Sequence, residues 1–320
     1  MSADGSRGAV IAACAANAGI GIAKLAGFFL SGATSMLAEA VHSAADTGNQ
    51  ALLLLGASRA QRDETEKHQF GYARERYFWS FIVAVVLFVM GAVFSLMEGI
   101  EKLQHPTPME NPPIALSILG VAVALEGWSF RTAIKVAKQL KGDKSWGTYL
   151  TQTKSAELPV VLLEDLGALA GLVFALLGIL LSELTGNPRF DALGTVAIGG
   201  LLGAIAFFLS RHLHSMLIGE SATTDHQEAI RAAINGVPEV KRLVHLRTMH
   251  LGPEHLLLGV KVEFDASLDF TRVANTIDVI EGHVRSAVPA ARTIYIEPAV
   301  FNPNHVRSVM PQVPAVTTEH

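Results

Sequence analysis

The amino-acid sequence predicts a polytopic α-helical membrane protein, with six transmembrane helices followed by a small C-terminal α+β domain. Three observations predict it. Half of the 320 residues are hydrophobic and only 17% are charged, which is more apolar surface than one soluble core of this length needs to bury. Apolar stretches of about 20 residues, the length of a bilayer-spanning helix, recur up to residue 217. Beyond that point amphipathic and alternating patterns replace the apolar runs.

The stretches lie at 9–31, 35–58, 77–100, 114–137, 157–182 and 192–217. The first carries Asn17 and Lys24 and lacks a small-residue cleavage site, so it reads as helix one rather than as a signal peptide. Arg59, Arg62, Lys67, Arg74 and Arg76 stand between the second and third stretches, and Lys138, Lys141, Lys144 and Lys154 between the fourth and fifth. Cations in short loops mark the cytoplasmic side, which places both termini there as well. From residue 218, TTDHQEAIRAAINGV and DFTRVANTIDVIEGHVRSAV read as amphipathic helices, while KRLVHLRTMHL, HLLLGVKVEFD and RTIYIEP read as strands. The α-β-β-α-β order predicts a two-layer domain over 218–300, after the transmembrane domain of 1–217. Residues 301–320, rich in proline, read as a flexible tail.

Composition also excludes. A formal net charge of −4 comes with no basic stripe interleaved with aromatics, so nucleic acid is not expected as a partner. The single cysteine, Cys14, rules out an intrachain disulfide framework and any CxxC motif. Metal chemistry has to rest on His, Asp and Glu.

The second stretch breaks its apolar run with AEAVHSAAD. Glu39, His42, Asp46 and Asn49 follow a 3-4-3 spacing and share one helical face. Two readings are open: an interhelical hydrogen-bond network, or a cation site, since intramembrane ionisable residues mark ion and proton routes. An imidazole and a carboxylate one turn apart suit divalent first-row metals, zinc above all. Two side chains do not complete a tetrahedral site, so another helix must contribute. The fifth stretch supplies Glu164 and Asp165 within VVLLEDLGAL. Adjacent helical residues point about 100° apart, and periodicity does not say which of the two faces the site.

The segments SGATSMLAEAVHSAADTGNQALLLLG, HQFGYARERYFWSF, ALEGWSF, LLEDLGAL and LRTMHLGP lie within residues 8–300. Through them the chain resembles the cation diffusion facilitator family of proton-coupled zinc and manganese exporters, and within it the mitochondrial-type zinc branch. The resemblance implies a homodimer in a lipid bilayer, six helices per protomer and a cytosolic ferredoxin-like domain. It implies a transport site between helices two and five, with His42 and Asp46 as one HxxxD pair and Asp165 as the aspartate of a second. Val161 stands where that second pair has its other ligand, which leaves Glu164, Asn49 or water to complete the set. The expected cargo is Zn2+, with Mn2+, Fe2+ and Co2+ as alternatives, exported against protons. Metal binding needs deprotonated ligands and so releases protons, and histidine, with its ordinary pKa near physiological pH, makes His42 the candidate carrier.

Other residues carry less. Asp63, His68 and Tyr72 precede the third stretch; His245, His250, His255 and His283 lie in the terminal domain; Glu126 is a candidate partner for Asn17 or Lys24. Neither an HExxH nor a GxSxG motif occurs, so the chain is not expected to be an enzyme. A metal-binding sensor or scaffold without transport is the alternative function. The short N-terminus without an Arg/Ser-rich presequence points to a bacterial inner membrane.

Overall fold

The computed structural model describes residues 18–109 and 111–299. Two compact units divide at Ile218 and Gly219.

The first unit is helical. Its elements are α1 (Ala18–Ser31), α2 (Thr34–Ala60), α3 (Glu75–Ile82), α4 (Phe88–Gln104), α5 (Pro112–Lys141), α6 (Trp146–Gln152), α7 (Glu157–Thr185) and α8 (Arg189–Ile218). A π-helical turn over Val83–Leu87 joins α3 to α4, making one rod of Glu75–Gln104. Sequence periodicity does not anticipate α6, whose seven residues are too short for it. Ser145 caps it by accepting from the Thr148 N–H, and Tyr149 buries against Ala137 and Leu162.

Among the described residues, three helical segments are long and apolar enough to cross a membrane: Glu75–Gln104, Pro159–Thr185 and Arg189–Ile218. Ala18–Ser31 and Pro112–Trp128 are shorter apolar helical segments. Helix α2 has comparable length but buries Glu39, His42, Asp46 and Asn49 along with its apolar residues, and that polarity keeps it out of the apolar set. The expectation of six spans is therefore met by length and apolarity at three segments. The part of helix one before residue 18, with Cys14 and Asn17, lies outside the described residues, as does the tail at 301–320.

Small residues let the helices approach closely. A Cβ on Gly199 of α8 would stand 2.9 Å from the Leu96 N of α4, and one on Gly194 would stand 2.8 Å from the Phe174 O of α7. Leu172, Ile179, Ile198, Leu202 and Leu209 fill the interior between them, whereas Phe207 and Trp128 are 73% and 78% exposed. Large apolar side chains turned outward suit a lipid environment rather than water.

The second unit runs α9 (Thr224–Asn235), β1 (Val240–Gly252), β2 (His255–Phe264), α10 (Phe270–Ala287) and β3 (Thr293–Ala299). Thr223 caps α9 and Asp269 caps α10, each accepting a backbone N–H from the first turn. Strands β1 and β2 pair antiparallel through a tight turn with Gly252 opposite His255, and β3 pairs parallel to β2. Leu256, Leu258, Val260 and Val262 on β2 meet Ile230, Ile234, Ile280 and Val284 of the helices. This mixed sheet has three strands, in the order β1-β2-β3. The unit's element order is the α-β-β-α-β order that the sequence predicts.

Candidate cation site

All four residues of the polar stripe point inward from α2: Glu39, His42, Asp46 and Asn49 are buried. The Nδ1 of His42 lies 3.7 Å from Oδ1 of Asp46, one turn further along. The distance is too long for a hydrogen bond, so the two side chains stand near each other without satisfying each other.

Helix α7 packs on α2 and resolves the ambiguity of its adjacent carboxylates. Glu164 is 5% exposed, and the Asn49 side chain is near enough to act on its carboxyl group. Asp165 is half-buried, and Val161, one turn before it, is 38% exposed. The 100° rotation between neighbouring residues thus turns Glu164 toward the stripe and carries Asp165 toward Glu126, which acts on it electrostatically.

Several buried polar atoms here have no hydrogen-bond partner among the described residues: His42 Nε2, Asp46 Oδ1, Asn49 Oδ1 and Glu164 Oε2. Buried groups of this kind cost a few kcal/mol each unless something satisfies them. Among the described residues, no three His, Cys, Asp or Glu side chains already converge as a ready metal cage. The structure brings His42 to Asp46 and Glu164 to Asn49.

Sequence reasoning missed how the stripe is compensated. Lys24 of α1, fully buried, donates to Glu39 Oε2 at 3.1 Å and to Ser43 Oγ at 2.8 Å. Glu126 acts on Glu39 electrostatically but does not take the lysine. The other oxygen of Glu39, Oε1, occupies the space left by Gly171 of α7, where a Cβ would come within 2.4 Å of it. The signal available beforehand was a lone lysine within an apolar helix.

A second buried cluster lies at the start of α2. Asp191 of α8 accepts from the Thr34 N–H at 3.0 Å, from Thr34 Oγ1 at 3.1 Å, from Ser35 Oγ and from Lys102 Nζ at 2.9 Å. Lys102 also donates to the Gly32 carbonyl at 3.0 Å. The carboxylate thereby supplies an acceptor and a negative charge to a helix N-terminus that has no cap of its own.

The remaining candidates hold conventional contacts. His68 is exposed and lies with its ring 4.7 Å from that of Tyr72, in a turn tied by Thr65. In the second unit His250 Nδ1 lies 3.2 Å from the Gly252 carbonyl, His255 Nε2 lies 3.0 Å from Thr293 Oγ1, and His283 is exposed. Partial burial pushes the His245 imidazole pKa down, helped by the Arg247 and Lys261 cations.

Comparison with known proteins gives this arrangement a context. Residues 10–218 match the cation efflux transmembrane domain, and residues 222–299 match the cation efflux protein cytoplasmic domain. The chain is 36% identical over 244 residues to the mitochondrial proton-coupled zinc antiporter SLC30A9 of Xenopus laevis, covering 76% of this chain and 44% of that protein. It is 32% identical over 249 residues to the human SLC30A9, covering 77% and 43%, and 26% identical over 260 residues to the zinc transporter ZitB of Escherichia coli K12, covering 79% and 77%. The chain spans less than half the length of the SLC30A9 proteins.

These relatives overturn the assignment to a bacterial inner membrane. The matches above 30% identity carry the name of a mitochondrial protein, and a plant metal tolerance protein follows at 30%. The reason for the error is that the matched region covers less than half of those proteins, so the residues before the first helix say nothing about compartment. The matched relatives are transporters, not enzymes. With both of its units matched, the chain belongs to the cation efflux family.

Proposed function

We propose that this chain is a secondary transporter that exports a divalent first-row cation, zinc foremost, in exchange for protons. It works as a homodimer with six membrane-crossing helices in each protomer, and its second unit contributes to dimerisation and regulation. His42, Asp46 and Glu164 hold the cation between α2 and α7, with Asp165 near enough to act on Asp46 electrostatically. The observation that carries this reading is the set of buried, unpartnered atoms on His42, Asp46 and Glu164. In an apolar interior such atoms call for a ligand, and a nitrogen with carboxylate oxygens matches zinc better than manganese. Zinc in the names of several relatives supports the same cargo.

Exchange follows from the ligands. They must lose protons to bind metal, and protons arriving from the opposite side displace it. Rocking of helices about the site supplies alternating access, as in other secondary transporters.

The test is metal uptake into proteoliposomes under an imposed pH gradient, with zinc, manganese, iron and cobalt compared. Gradient-driven zinc flux that disappears in His42→Ala is the expected result. Binding without flux for every metal would favour a metal-binding sensor or scaffold, a reading that the apolar Val161 at a position suited to a ligand favours.

A further inference from the structure

The cation reading uses His42, Asp46 and Glu164 and leaves the Lys24 pair unexplained. Lys24 is fully buried on α1, yet both of its partners, Glu39 and Ser43, lie on α2 beside the candidate ligands. Ser43 follows His42 directly, and Glu39 precedes it by one turn. The ammonium is close enough to act electrostatically on His42, Asp46 and Glu126. A buried lysine that served only to hold α1 against α2 has no need to stand beside the ion's position.

We infer that Lys24 is an affinity-setting residue: clamped by Glu39 and Ser43, its ammonium is a tethered cation that weakens the hold of the site on a divalent ion. Coulomb repulsion scales with the charge of the incoming ion, so the lysine opposes a dication twice as strongly as a proton at the same place. That bias favours release of metal when protons return. Glu39 sets how much of the lysine's charge reaches the ligands. Its carboxylate cancels most of that charge at a distance: Oε2 accepts from the ammonium, and Oε1 has no hydrogen-bond partner among the described residues. This inference rests on the cation site proposed above.

Zinc titration calorimetry on the detergent-solubilised full chain tests it, with thermal unfolding of each variant as a check on the fold. Glu39→Gln leaves the ammonium uncompensated and is expected to weaken zinc by about tenfold or more. Lys24→Gln is expected to tighten zinc. The double variant Lys24→Gln with Glu39→Gln should return to within about threefold of the unmodified chain, because the two charges act in opposite senses. A structural contact alone would weaken binding in every variant, most of all in the double, and that pattern overturns the inference. Loss of all binding in Glu39→Gln, restored by nothing in the double, overturns it too and makes Glu39 a ligand.

Should a single variant fail to fold, the reversed pair Lys24→Glu with Glu39→Lys keeps a neutral ion pair. It moves the ammonium onto α2 and should weaken zinc about tenfold, whereas unchanged affinity overturns the inference. Asp46→Ala separates the two proposals. Zinc binding that survives Asp46→Ala shows that the site itself is misplaced, whatever the lysine does.

Discussion

The cluster around Asp191 and the stripe around Asp46 are both buried polar groups in the same helical unit, yet they are completed in opposite ways. Both oxygens of Asp191 accept hydrogen bonds, from Lys102, Thr34 and Ser35, and the cation opposite them is part of the chain. The stripe ends in atoms that no described residue satisfies, on His42, Asp46, Asn49 and Glu164. Burial and charge are therefore poor guides to function by themselves. The discriminating feature is whether the chain supplies the last partner: where it does, the cluster ties helices together, and where it does not, the unsatisfied atoms are the ones to test for a bound ion.

The sharpest way to break this comparison is to remove one carboxylate from each cluster. Asp46→Ala should abolish gradient-driven zinc flux while the protein remains folded, measured as uptake into vesicles beside a thermal unfolding curve. Normal flux from a folded Asp46→Ala protein would remove the cation site from α2.

Asp191→Asn should do the reverse. It leaves the Lys102 ammonium buried without its counter-charge, which costs about 3–5 kcal/mol of stability, while any protein that folds should bind zinc normally. Adding Lys102→Met should recover most of that loss, since removing both charges leaves none uncompensated. Thermal unfolding in detergent reads both steps, and a zinc affinity that falls with Asp191→Asn would mean the two clusters are not separate.

A finer comparison lies within α7. Glu164→Gln should weaken zinc by more than about a hundredfold if it is a direct ligand, and Asp165→Asn by about tenfold as a neighbour that acts at a distance. Calorimetry giving the opposite order would mean that α7 rotates to present Asp165. Ser35→Ala is the mildest change. Losing one hydrogen bond to a charged acceptor should cost about 1.5–3 kcal/mol in unfolding, with zinc flux unchanged.

Much of this architecture was legible in advance. The stretch placed at 157–182 became α7 at Glu157–Thr185, and that at 192–217 became α8 at Arg189–Ile218, because long apolar runs with loop signals at their ends leave the chain few alternatives. The α-β-β-α-β order of the second unit was legible from the switch between the two periodicities. Helix α6 was not, since its seven residues, about two turns, carry too little pattern to read.

Within the site, the sequence by itself determined that Glu39, His42, Asp46 and Asn49 share a face, because helical periodicity is local and each position follows from the one before. Tertiary structure alone decided that Lys24 meets Glu39 rather than Glu126, that Glu164 rather than Asp165 turns toward Asn49, and that Asp191 reaches the start of α2. These choices depend on the rotation and axial register of helices distant in the chain. Packing sets both, through close contacts such as Gly199 against Leu96 and Gly171 against Glu39. No spacing along a single helix encodes them.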